Sequence, residues 1–299
     1  MEIMQILIAD EMEKEVVEEI KKLGTVDYNP SPTDLPKHLE NADALIVRSA
    51  TKVTKDLLVH AKKLKLVARA GVGLDNVDAE ACAAKNIKVV NTPGASTNSV
   101  AELALGLMLS GLRNVQKAHH QMKNGIWDKK NLIGHEIDGK TLGVIGYGRI
   151  GALLGKKAAA LGMKIIAYNP PPRYEDGIAK FVELDELLSK ADVISIHAAL
   201  TDGTRNIINK ENISRMKDGV MIINSARGEM IDEDALFEAV KSGKVSCAAL
   251  DVFRSEPYKG KLSELDNVYL TPHIGASSKE AQGRIGAELI KILQNELKK

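Results

Sequence analysis

With 299 residues, 41 basic against 40 acidic side chains and a formal charge of +1, this chain has no charge excess with which to hold nucleic acid or an anionic membrane. Its length exceeds one ordinary compact core, so two domains are expected. Aromatic residues make up 3% and hydrophobic residues 44%, so those cores must be aliphatic.

In chain order, apolar strand-like runs stand at residues 5–9, 25–28, 44–47, 64–68 and 88–90, with helical patterns between them. The start, Met1-Glu2-Ile3-Met4-Gln5, has no basic leader and runs straight into the first strand. Residues 95–122 then read as one long helix, opened by Ser96-Thr97-Asn98-Ser99 and Glu102 as cap chemistry. Its apolar part, 101–112, is too short to span a bilayer. Further strands follow at 141–145, 164–168, 192–196, 220–224, 245–250 and 268–270. A last helix, 277–296, is expected to cross back and pack on the first domain. Such alternation predicts an α/β protein of two doubly wound parallel-sheet domains with a cleft between them. The expected division is a flavodoxin-like substrate domain, 1–93 plus 281–299, and a Rossmann dinucleotide-binding domain, 94–280. Cys82 and Cys247 lie in apolar-periodic segments and offer neither a disulfide framework nor a metal spacing. A reduced cytoplasmic protein is expected, with no metal, nucleic-acid or membrane partner.

Gly146-Tyr147-Gly148-Arg149-Ile150-Gly151 sits between the run Thr141-Leu142-Gly143-Val144-Ile145 and a helical pattern ending at Gly162. Glycine turns between strands and helices are common, so the hexamer alone says little. In a strand–turn–helix context the first glycine allows the tight turn and the second admits a pyrophosphate. The third lets helix and strand pack closely. Polar residues also stand just beyond the apolar runs: Arg48-Ser49, Arg69-Ala70-Gly71, Asn169, Arg227, Asp251 and His273. Loops between strands and helices are polar anyway, but ligands of open α/β sheets bind at the carboxyl ends of the strands. Taken together, these residues fit one crevice.

A dinucleotide site beside a titratable group suggests hydride transfer. Oxidising an alcohol needs a proton acceptor, and histidine, titrating near neutrality, serves in both directions. His273 is the candidate, placed between Thr271-Pro272 and Gly275-Ala276. Glu256 in Ser255-Glu256-Pro257 is a carboxylate able to hold its tautomer. Arg227 in Ser225-Ala226-Arg227-Gly228-Glu229 offers a fork for a substrate carboxylate. The adjacent His119 and His120 make a poor metal pair on a helix. His197 reads as fold support, and His38, His60 and His135 as surface residues.

The fingerprint, Asn224-Ser225-Ala226-Arg227-Gly228, Ala249-Leu250-Asp251-Val252-Phe253, Glu256-Pro257 and Pro272-His273-Ile274-Gly275-Ala276-Ser277 together resemble the D-2-hydroxyacid dehydrogenase family over nearly the whole chain. The resemblance implies catalytic roles for His273 as acid/base, Glu256 as its partner and Arg227 as carboxylate clamp. It implies NAD contacts through Gly146, Gly148, Arg149, Ile150, Gly151, Asn169, Ala198, Ser225, Ala226, Gly275 and Ala276. Asp251 would meet the nicotinamide carboxamide.

Within the family the likeness is to the 3-phosphoglycerate dehydrogenases. It is carried by Val47-Arg48-Ser49-Ala50-Thr51-Lys52-Val53-Thr54, Arg69-Ala70-Gly71-Val72-Gly73-Leu74-Asp75-Asn76-Val77-Asp78, Asn91-Thr92-Pro93, Trp127 and Lys279-Glu280-Ala281-Gln282. Arg48, Ser49, Arg69, Gly71 and Val72 would then bind substrate, with the phosphate near the two arginines. Lys129 matches a basic residue that in the family reaches over from the neighbouring subunit, and through the long segment after Pro93 the resemblance implies a homodimer. The implied reaction interconverts 3-phosphoglycerate and 3-phosphohydroxypyruvate, at the entry to serine synthesis. The alternatives are a reductase for hydroxypyruvate, glyoxylate or another small 2-keto acid, and a dinucleotide-sensing binding protein.

Three departures qualify the likeness. Asn169 stands where an aspartate usually repels a 2′-phosphate, so some NADP use is expected beside NAD. His197-Ala198-Ala199-Leu200 lacks a proline common before the leucine. No regulatory domain follows the last helix, so feedback by serine through one is not expected.

Overall fold

A computed structural model describes residues 3–29, 33–171 and 173–296. The chain forms two compact units, 1–96 with 276–299 and 97–275. The divisions fall after Ser96 and Gly275 rather than after 93 and 280. The reason is packing, since Ala95 is buried in the core of the first unit and Ala276 packs against it.

In the first unit, five parallel strands run in the order β2-β1-β3-β4-β5. They are β1 Gln5–Ile8, β2 Thr25–Tyr28, β3 Ala44–Val47, β4 Leu66–Arg69 and β5 Lys88–Asn91. All four residues of β3 are buried, as the uninterrupted Ala-Leu-Ile-Val run demands of an interior parallel strand. One face is covered by α1 Lys14–Lys21, through Val16, Val17 and Ile20, and by α11 Lys279–Glu296, through Ile285, Leu289 and Leu293 at four-residue steps. A side chain at Gly286 would strike Val16, so these two helices meet at that glycine. The other face carries Leu39, Leu58 and Cys82 in a separate core. There α3 Lys55–Leu58 and α4 Ala79–Ala84 are capped by the Thr54 and Asp78 side chains. The strand order reverses between β1 and β3, which makes their carboxyl ends the switch point.

The second unit holds seven parallel strands in the order β12-β11-β10-β9-β6-β7-β8. They are β6 Thr141–Ile145, β7 Lys164–Tyr168, β8 Ala179–Phe181, β9 Val193–Ile196, β10 Val220–Asn224, β11 Val245–Leu250 and β12 Val268–Leu270. Its switch point lies between β6 and β9, the dinucleotide-fold arrangement. The three-residue β8 has too little apolar pattern to be read from sequence and exists through its pairing with β7.

The single long helix expected over 95–122 is in fact two, α5 Thr97–Leu112 and α6 Val115–Lys123. Asn114, at φ 54°, turns the chain between them. The break has a local cause. The Leu112 carbonyl accepts the amide of His135 at 2.8 Å instead of continuing the helix. α5 buries Ala101, Ala104, Leu107, Met108 and Leu112 against the sheet, whereas α6 buries nothing. Gly111 is required because a side chain there would run into Met221 and Cys247. Glu102, expected as cap chemistry, faces Asn98 and Lys157.

Among the described residues no helix is long and apolar enough to cross a membrane, and no three His, Cys, Asp or Glu side chains are grouped to hold a metal.

Candidate active site

The glycine turn follows β6 and opens α7, Arg149–Ala160. Gly146 has φ +92°, and a side chain there would overlap the His197–Ala198 backbone at the end of β9. Gly151 lies so close to the Gly146 carbonyl and to Val144 Cγ1 that the helix could not otherwise approach the strand. Gly148 differs: a side chain there would meet nothing, so the glycine leaves the backbone bare toward open space. That cradle, at the amino end of a twelve-residue helix, fits an anion such as a pyrophosphate. Arg149 begins the helix exposed, and Ile150 packs toward its core.

Two buried polar atoms at neighbouring strand ends have no hydrogen-bond partner: His197 Nδ1 after β9 and Ser225 Oγ after β10. Burial pushes the His197 pKa down to about 4, so its ring is neutral, and Nε2 meets Ser195 Oγ at 2.8 Å. Ala198 and Ala226 line the same strand ends, packed on the core beneath.

Asn169 does not project freely from the end of β7. Its Oδ1 accepts the Tyr147 amide at 3.1 Å, and its Nδ2 donates to the Pro170 carbonyl at 2.8 Å. It therefore braces the glycine turn. Arg173 Nε donates to the Asn169 carbonyl at 3.2 Å, with the guanidinium over the Phe181 ring.

His273 and Glu256 come together. Nδ1 lies 2.9 Å from Glu256 Oε2, and since a carboxylate only accepts, Nδ1 carries the proton and Nε2 is left for other work. Glu256 Oε1 accepts the Phe253 amide at 3.1 Å, which fixes the carboxylate. His273 itself is held at φ 54°, a left-handed conformation that non-glycine residues adopt only under constraint. The constraint is Asp251. Its Oδ1 accepts Thr271 Oγ1 at 2.6 Å and the Ile274 amide at 2.8 Å, and its Oδ2 accepts the Gly275 amide at 2.8 Å. With 1% exposure and those bonds, Asp251 positions the His273 loop. At Gly275 a side chain would press on Asp251 Oδ2 at 3.1 Å, which explains the glycine.

Arg227 follows β10, and fully buried Asn224 shapes its turn by accepting the Ala226 amide and donating to the Arg227 carbonyl. The Arg227 Nη1 donates to the Ala226 carbonyl at 2.5 Å. A side chain at Gly228 would collide with the Phe253–Arg254 backbone, so this glycine lets the Arg227 loop settle against the Glu256 loop.

In the first unit, Val47 pairs with Arg69, so Arg48 and Arg69 emerge at the carboxyl ends of adjacent strands. The Arg69 guanidinium covers Gly71, where any side chain would displace it. Ser49 and Val72 are exposed beside them. The Arg48 loop crosses the switch point and is tied down by Asp10, which is 3% exposed. Asp10 accepts the Arg48 amide at 2.5 Å, the Thr51 amide at 3.1 Å and Thr51 Oγ1 at 2.6 Å. Asn76 donates to the Arg48 and Thr51 carbonyls. Ala276 belongs to this first unit, packed on its core, rather than with Gly275. Lys129 opens an exposed 3-10 turn in the second unit.

Sequence reading assigned no role to Asp10, Asn76, Asn224 or Tyr147. The Tyr147 side chain is buried, donates to Asp176 at 3.0 Å and meets Phe181 edge-on, and burial followed by Asp176 pushes its pKa up. For Asp10, Asn76 and Tyr147, partners 25 to 41 residues apart leave no local signal, and Asn224 shows its role only in the turn it closes with Ala226 and Arg227. His38, expected at the surface, is half-buried between Asp27 and Asp34, and its hydrogen bond to Asp27 raises its pKa.

A bare glycine cradle at a dinucleotide-fold switch point, with an imidazole–carboxylate pair on the same sheet, defines a nicotinamide-dependent oxidoreductase. Residues 105–275 match the family described as D-isomer specific 2-hydroxyacid dehydrogenase, NAD binding domain, and the chain belongs to that family, with NAD as cofactor. It is 50% identical over 297 residues to the hydroxypyruvate reductase of Thermotoga maritima, covering 97% of each chain. It is 48% identical over 304 residues to the D-3-phosphoglycerate dehydrogenase of Methanocaldococcus jannaschii, 98% of this chain matching 58% of that one. The chain thus spans little more than half the length of that second relative. It also matches the crystal structure of D-lactate dehydrogenase from Aquifex aeolicus with NAD and lactic acid, at a TM-score of 0.88 and 31% identity over 98% of this chain and 95% of that one.

Proposed function

We propose that the protein interconverts 3-phosphoglycerate and 3-phosphohydroxypyruvate with NAD(H), the first step of the phosphorylated route to serine. The observation that carries this reading is the pair of guanidinium groups, Arg48 and Arg69, at adjacent strand ends of the first unit. A phosphate needs such cations, whereas an unphosphorylated 2-keto acid needs only one carboxylate clamp. His273 Nε2 takes the substrate hydroxyl proton or returns it, with Nδ1 held by Glu256. Arg227 pairs with the carboxylate. When bound, NAD supplies the acceptor for the hydride leaving the second carbon.

A second reading, reduction of hydroxypyruvate or glyoxylate, is favoured by the 50% identical Thermotoga relative. NADP use is supported by an uncharged Asn169 with Arg173 beside it. A homodimer is supported by exposed Leu109, Val115, Met122, Ile126, Trp127 and Ile133, all in the segment after α5 begins. A cytoplasmic setting is supported by two buried free thiols.

One panel tests the reading: kcat/KM for phosphohydroxypyruvate, hydroxypyruvate and glyoxylate, each with NADH and NADPH. A preference of about tenfold or more for the phosphorylated substrate is expected, as one charge-assisted contact supplies. Preference for hydroxypyruvate overturns the assignment in favour of the second reading. NADPH turnover below about a thousandth of NADH turnover overturns the relaxed cofactor selectivity.

A further inference from the structure

Arg48 does not reach out unaided. Its Nη1 donates to the Glu11 carbonyl at 3.1 Å and its Nη2 to Gln282 Oε1 at 2.8 Å, on the first turn of α11. Both acceptors are neutral, and among the described residues no carboxylate pairs with this guanidinium, although Glu11, Glu13 and Glu15 line the cavity of about 380 Å³ that it borders. The Gln282 amide can point only one way. Its Nε2 donates to the Ala276 carbonyl at 2.8 Å, so only its oxygen is left for Arg48, and a flipped amide would set donor against donor and acceptor against acceptor. The arrangement orients the cation through neutral acceptors and leaves it without an ion-pair partner among the described residues. A carboxylate at the same place would bind the guanidinium more strongly but cancel the charge an anionic substrate needs.

We propose that Gln282 is a positioning residue for substrate specificity, aiming Arg48 at the distal anionic group of the substrate through a neutral hydrogen bond. This rests on the reading of Arg48 as a phosphate contact. KM and kcat for phosphohydroxypyruvate and hydroxypyruvate are measured for the parent, Arg48→Ala, Gln282→Ala, Gln282→Glu and the double variant Gln282→Glu/Arg48→Ala, with thermal midpoints alongside. Arg48→Ala is expected to raise KM for the phosphorylated substrate about tenfold or more, and much less for hydroxypyruvate. Gln282→Ala should raise the same KM about fivefold, and Gln282→Glu about twentyfold because it also neutralises the cation, with kcat within about twofold. In the Arg48→Ala background Gln282→Glu should add less than about twofold, as expected of residues acting through one another.

If Arg48→Ala raises KM for the phosphorylated substrate but neither Gln282 variant does, the proposal is wrong and the Arg48 reading survives. Equal rises for both substrates, or an undiminished Gln282→Glu effect without Arg48, also overturn it. If Arg48→Ala changes neither KM, the reading it rests on fails first. Should Gln282→Ala not fold, Gln282→Met, which keeps the volume and loses both bonds, takes its place.

Discussion

Each unit carries its candidate residues on a loop clamped by a buried aspartate, yet the two clamps hold different things. In the first unit Asp10 accepts three donors from Arg48 and Thr51, across the switch point between β1 and β3. The guanidinium beyond that clamp is steadied, among the described residues, by neutral oxygens. In the second unit Asp251 likewise accepts three donors, but it holds a residue in a left-handed conformation, and the His273 ring is then paired with a carboxylate. The difference follows the task. A group that binds an anion must keep its charge, whereas a group that exchanges a proton needs one tautomer and a partner for its charged form.

The largest effect is expected where the proton moves. Replacing His273 by Ala should lower turnover by roughly a hundred- to ten-thousandfold and leave NADH affinity within about threefold. Near-normal turnover, followed by NADH oxidation, would remove this residue from the chemistry.

Asp251→Ala comes next, because it strands three donors, the buried Gly275 amide among them, and releases the strained His273 backbone. A stability loss of about 3 kcal/mol in urea unfolding is expected, with a fall in kcat of about ten- to a hundredfold. If stability falls and kcat does not, the aspartate serves the fold alone.

Asp10→Ala should be milder in rate. A loss of about 2 kcal/mol and a several-fold rise in KM for the phosphorylated substrate are expected, with kcat within about twofold. A kcat loss as deep as that of Asp251→Ala would abolish the distinction between the two clamps.

Much of this site is legible in sequence because its parts are local. The glycine turn occupies six consecutive residues, and in the structure Gly146 and Gly151 are each required by close backbone approach, while Gly148 leaves the backbone bare. His273 and Glu256 announce themselves by residue type at strand ends. By contrast, Asp10 looks like any polar residue after a strand, and Gln282, though part of a motif that carries the likeness, shows nothing of its task. Their partners lie 38 and 234 residues away. Asp251 was visible, but its hold on the Thr271, Ile274 and Gly275 donors appears only in the fold. The helix over 95–122 misled for a related reason, because its apolar pattern runs on through the point where His135 takes the Leu112 carbonyl.

By itself, then, the sequence determined the two wound α/β units, the dinucleotide turn and the residue types of the chemistry, because periodicity and glycine sterics act over a few residues. Tertiary structure alone decided which side chains are instruments and which are braces. That division depends on donors and acceptors brought together by strand order, and a buried carboxylate or a neutral amide takes its function from whatever the fold sets against it.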